Sequence, residues 1–146
     1  MQDIKLNNET LNNIYKNAHI ALQSISNVLP EVTDQNMRDE LNNQYDGYEK
    51  FIGKLSGFMR DRNVEAKDVN VMKKAMLFTS VKMNTLTDDS TSHIADMMIK
   101  GTVMGITELR QLISRGQEDI DGEILEYAKE LLDLEETFEE RLKTYL

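Results

Sequence analysis

Ser90 to Leu112, STSHIADMMIKGTVMGITELRQL, is the stretch whose reading decides the fold. Ile94, Met97, Met98, Gly101, Met104, Gly105, Glu108 and Leu112 recur at three-and-four spacing, which places them on one side of an α-helix. The spacing predicts that this stripe faces inward, with His93 at its edge. A plain core helix carries branched aliphatics at such positions, whereas this one carries methionine, glycine and a carboxylate. The stripe therefore predicts either a close helix contact or a site.

Upstream, Thr87, Asp88, Asp89 and Ser90 supply hydroxyls and carboxylates that suit a helix start, where negative charge also meets the positive end of the helix dipole. The helix is predicted over roughly Asp89 to Ser114, and Gly116 is a natural stop. A last helix is predicted from about Asp119 to Tyr145, with Ile124, Ala128, Leu131, Phe138, Leu142 and Tyr145 inside. Toward the N-terminus, the first helix runs from about Asn8 to Leu29. Its face is Leu11, Ile14, Tyr15, Ala18, Ala21, Leu22, Ile25 and Val28, and Pro30 ends it because a residue before proline is pushed out of helical geometry. The second starts near Thr33 or Asp34 and shows Leu41, Tyr45, Tyr48, Ile52, Leu55, Phe58 and Met59, fraying near Arg62 and Asn63. A shorter helix is predicted from about Asp68 to Met83.

One proline and seven glycines in 146 residues leave few breaks, and no strand-like alternation stands out, so the chain reads as all-α and as one domain, 1–146. The first and last pairs of long helices are joined by short links and should be antiparallel hairpins. The second and third are joined by a long, partly helical crossover. A four-helix bundle with one such crossover is the ferritin-like arrangement.

That order of lengths resembles small ferritin-like helical bundle proteins over the whole chain. The segment MNTLTDDSTSHIADMMIKGTVMGI, Met83 to Ile106, looks like the signature of a small uncharacterised family of this kind. The resemblance implies the bundle architecture and attaches no activity to it.

The absence of cysteine excludes disulfides, thiolate metal sites and cysteine nucleophiles. No apolar run reaches the length of a membrane span, and the start MQDIKLNNET lacks an export signal, so a cytoplasmic protein off the membrane is expected. Of the net charge of −9, the segment from Gln117 to Leu146 carries eleven acidic residues against three basic, leaving about −1 for the rest. Such a chain repels phosphate backbones, and nucleic acid is not an expected partner. The acidic face reads first as a solvated helix surface; the alternative is an adaptor docking through its acidic C-terminal helix, at Glu126, Glu130 and Asp133, onto a basic protein.

A ferritin-type di-iron centre needs inward glutamates and two Glu-x-x-His pairs. Lys16 stands three residues before His19 and Ser90 three before His93, so neither histidine completes a pair, and the residue three after Glu135 is Phe138. Glu135 itself is in phase with Leu131, Phe138 and Leu142, and an inward carboxylate must be paired, hydrogen-bonded, protonated or edged out to water. Counting from the helix ends puts His19, Tyr45, Met98 and Glu135 at similar heights. They form a candidate polar site for a small ligand or one metal ion, against which stands a simple hydrogen-bonded core pair. His93 reads as a capping-region imidazole or as a proton-handling group, and Glu108 is expected to face Tyr127. Gly53, Gly57, Gly101 and Gly105 are expected at close helix contacts, within the chain first and between subunits next, since glycine inside a helix costs about 1 kcal/mol against alanine.

With no phosphate loop, GxSxG or HExxH present, the expectation is a non-catalytic binding or structural bundle with no favoured cofactor, self-associating as a homo-oligomer through glycine and methionine surfaces. An atypical metal-binding or redox bundle using His19, His93, Glu108 or Glu135 is the alternative.

Overall fold

The computed structural model describes residues 4–66 and 90–146. Among these the chain forms four long helices, α1 (Ile4–Val28), α2 (Gln35–Asp61), α3 (Thr91–Gly116) and α4 (Gly122–Lys143), with a single 3-10 turn at Leu29–Glu31 and no strand. The helix expected over Asp68 to Met83, and the part of the Met83 to Ile106 signature before Ser90, lie outside the described residues.

Local chemistry sets the ends. Pro30 sits in the 3-10 turn that follows α1. Asp34 caps α2 by accepting the Met37 amide at 2.8 Å, Ser90 caps α3 through the His93 amide at 3.3 Å, and Asp121 caps α4 through the Glu123 amide at 3.0 Å. The C-terminus of α2, expected to fray, is instead closed. Asn63 adopts a left-handed φ of 57°, its amide donates to the Arg60 carbonyl at 3.0 Å, and the Val64 amide donates to the Met59 carbonyl at 2.8 Å. This is the Schellman pattern, and asparagine tolerates the left-handed conformation better than other non-glycine residues.

Polar contacts between helices fix their directions. Near the start of α1, Asn7 Oδ1 accepts the Asp121 amide from the α3–α4 corner at 3.0 Å. At mid-height Asn17 Nδ2 donates to the Gly105 carbonyl of α3 at 3.1 Å. The start of α1 therefore lies by the end of α3, and the two are antiparallel. At one end of the pair α2–α4, Arg62 is ion-paired with Asp121; at the other, the Tyr145 hydroxyl donates to the Asn36 carbonyl at 3.1 Å. These helices are antiparallel too. It follows that α2 and α3 run parallel, in an up-down-down-up order: α2 ends at one end of the bundle and α3, 26 residues and about 39 Å long at roughly 1.5 Å per residue, begins at the other.

The core is aliphatic over most of its length: Leu11, Ile14, Ala18, Ile25 and Val28 of α1, Met37, Leu41 and Leu55 of α2, Ile94, Ala95 and Leu109 of α3, and Ile124, Ala128, Leu131 and Leu142 of α4 are all buried. Aromatic rings fill the α2–α4 seam, with Tyr48 edge-on to Phe138 at 5.3 Å between centroids and Phe58 tilted on Tyr127 at 4.8 Å. The stripe on α3 is turned from its expected direction. Ile94, Met98 and Gly105 face the bundle, but Gly101, Met104 and Glu108 are exposed, while Ala95, Ile106 and Leu109 take the inward places. No helix among the described residues is long and apolar enough to cross a membrane.

Candidate functional site: a buried polar layer at mid-height

At mid-height a layer of the interior gathers polar groups from several helices. Glu135 of α4 is 1% exposed, Asn17 of α1 is 6% exposed and Tyr48 of α2 is 2% exposed, and α3 meets them with Gly105. All four helices contribute. The glycine is there for space: a Cβ on residue 105 would lie 2.7 Å from Glu135 Oε1 and 3.3 Å from Asn17 Oδ1, so the carboxyl and the amide press on the bare α-carbon. Asn17 Nδ2 donates to both the Gly105 carbonyl and Glu108 Oε2, at 3.1 and 3.3 Å, which fixes the orientation of the amide. Its Oδ1 is left on the Gly105 side.

Two buried oxygens in this layer, Asn17 Oδ1 and Glu135 Oε1, have no hydrogen-bond partner among the described residues. Both are acceptors when Glu135 is ionised, and neither can then satisfy the other. Protonation changes that, because a neutral carboxyl carries an O–H donor of the kind Asn17 Oδ1 lacks. Electrostatics favour the same form. Burial, and secondarily the Glu108 carboxylate, push the Glu135 carboxyl up to about 9 from its ordinary 4.5. At neutral pH Glu135 is therefore a neutral acid. Tyr48 follows the same logic, its hydroxyl held well above 10 by burial and then by the charge Glu135 acquires at high pH.

Some of the residues expected at the site are here and others are not. Glu135 lies inside, as its phase predicts, and Glu108 is brought to it through Asn17 and Gly105. Glu108 does not pair with Tyr127, whose ring packs on Phe51 and Phe58. His19 is half-buried, stacks on Tyr15 at 4.3 Å between centroids, and its Nε2 has no partner among the described residues; burial lowers its pKa. Neither His19 nor Tyr45, which packs half-buried against the core, is among the groups that act on Glu135. His93 is exposed in the first turn of α3. Of the four glycines expected at close contacts, only Gly105 makes one among the described residues: there a Cβ on Gly53 or Gly101 would meet nothing within 4 Å, and one on Gly57 would reach only the end of Arg60. Asn17, which the sequence reading leaves off the inner face of α1, stands two residues before His19, and Tyr48, expected on the inner face of α2 but not at the polar site, stands three after Tyr45. The only sequence signal for Asn17 is that it shares a helical row with Thr10, Ile14 and Ala21.

The layer can hold a proton at Glu135, accept and donate single hydrogen bonds, and fix how four helices align. Among the described residues no three His, Cys, Asp or Glu side chains converge in a way that could hold a metal ion. Comparison of the chain with family models, curated proteins and solved structures gives no match.

Proposed function

We propose that this chain is a non-catalytic, ferritin-like helical bundle that serves as a binding or structural module. The up-down-down-up order of its helices supports the ferritin-like reading, because that order requires one long crossover between the second and third helices. The observation that carries the functional reading is the state of the mid-height layer. Bundles that do chemistry present several inward-pointing ligands there, whereas here Glu135, the one buried carboxyl among the described residues, is neutral at neutral pH, wedged against a glycine and next to an amide oxygen that can accept a hydrogen bond from it. A carboxyl that is protonated in the metal-free protein must give up that proton before it can act as a base or as a metal ligand. What such a layer does well is specify alignment, because any slip of one helix leaves a buried polar group without its neighbour.

The test is metal analysis of the purified protein after dialysis, alongside Glu135→Gln. A structural layer predicts substoichiometric iron, manganese and zinc, and a variant that folds with the same helicity. Stoichiometric metal that is lost in Glu135→Gln would overturn the proposal in favour of a metal-binding bundle.

A further inference from the structure

The outer face of α3 presents what the inner face does not. Met104 is 68% exposed and Val103 40% exposed, the two large apolar side chains of α3 most open to solvent. Half-buried Met97 and exposed Gly101 precede Met104 along the same side, and a Cβ on Gly101 would meet nothing within 4 Å, so nothing among the described residues accounts for a helix-weakening glycine at that place. Lys100 and Glu108 lie four residues to either side of Met104, both exposed.

That symmetry selects the occupant. When two copies of a helix pack antiparallel about a two-fold axis through residue 104, each position is matched with the one equally far on the other side: Lys100 meets Glu108 of the second copy, twice, and Met97 meets Gln111. The face is complementary in charge to itself. Its surroundings carry no acidic excess. Lys100, Arg110 and Arg115 against Asp96 and Glu108 give α3 a net charge near +1, while the acidic excess sits in the segment after Gln117. A contact on α3 therefore brings two copies together away from their mutually repelling helices. The Lys100–Asp96 pair at 2.9 Å is exposed and joins neighbours one turn apart, so exchanging it for an intermolecular partner loses little.

We infer that the outer face of α3 is a homodimer contact, with Met104 on the two-fold axis and reciprocal Lys100–Glu108 pairs flanking it. This rests on the reading of the chain as a structural module and names its partner as a second copy.

Light scattering behind size exclusion reads the outcome in the full chain. The wild type is expected to approach twice the 16.8 kDa chain mass as concentration rises. Lys100→Glu and Glu108→Lys each place like charges opposite one another and are expected to elute at the single-chain mass. An equimolar mixture of the two restores opposite charges at both pairs and is expected to recover the dimer. Should Glu108→Lys fail to fold, Glu108→Gln keeps an acceptor for Asn17 and is expected to weaken the dimer. A wild type that stays at the single-chain mass overturns the inference. So does a dimer indifferent to the substitutions, which places the contact on another face or through residues 67–89, or a mixture that fails to re-associate. Metal content is read separately, so failure here leaves the layer's structural role standing.

Discussion

On its inner face α3 lays Gly105 against a buried carboxyl and a buried amide, while one residue earlier, on its outer face, Met104 stands in solvent. The usual order of polarity is reversed at both places. Inside, a polar layer lowers stability, since holding Glu135 neutral at pH 7 when it would ionise in the unfolded chain costs about 3 kcal/mol at roughly 1.4 kcal/mol per pH unit. Outside, an apolar side chain gives up the stabilisation that burial would bring. Both arrangements make sense as specificity: the first fixes how the four helices align, the second offers a surface to another molecule. The aliphatic core between them supplies the stability that both draw on.

Leu131, fully buried one turn before Glu135, belongs to that aliphatic core, and Leu131→Ala should destabilise by about 2–5 kcal/mol at every pH, as measured by urea unfolding. A loss that varied strongly with pH would mean that the aliphatic and polar parts of the interior are not energetically distinct.

Next comes the polar layer itself. Because Glu135 has a folded pKa raised above the unfolded one, its contribution to stability is fully present below about pH 4.5 and is lost progressively as pH rises through about 9. Glu135→Gln keeps the shape and a donor while removing the titration. It should be more stable than wild type by about 3 kcal/mol at pH 7, with the gap closing toward pH 4.5. Equal midpoints at pH 5 and pH 8 would show that Glu135 is solvated or ion-paired.

The two glycines of α3 sharpen the contrast at smaller scale. Gly105→Ala drives a methyl into Glu135 Oε1 and Asn17 Oδ1, which are too enclosed to retreat, and should cost about 1–3 kcal/mol despite better helix propensity. Gly101→Ala meets open space and should stabilise by about 0.5–1 kcal/mol in solution dilute enough to dissociate the proposed dimer. Thermal midpoints of the two variants should therefore move in opposite directions.

Much of the fold was legible because helical periodicity survives without tertiary information. Of the expected inward rows of α1 and α4, all but Tyr15, Ala21 and Tyr145, which are half-buried, are buried, and Glu135 could be placed inside from its phase with Leu131, Phe138 and Leu142 alone. The face of α3 was not, because this helix is apolar on two sides: Met97, Gly101 and Met104 make as regular a row as Ile94, Met98, Gly105 and Leu109, and periodicity cannot say which one the bundle covers. The partners of Glu135 were missed for another reason. Alignment between helices is set by packing, and an offset of two or three residues, about 3–4.5 Å along the axis, exchanges His19 for Asn17 and Tyr45 for Tyr48. The α2 terminus was misread because the Schellman closure rests on the left-handed conformation of Asn63, for which asparagine is only a weak signal.

Carbon-detected NMR titration of the Glu135 side-chain carboxyl, assigned through Glu135→Gln, tests the account at its centre. A midpoint near 9, with the resonance of a neutral acid at pH 7, is the expected result. A midpoint near the ordinary 4.5 would mean an ionised carboxylate in the middle of the bundle, and both the alignment role of the layer and the non-catalytic reading of the protein would fall with it.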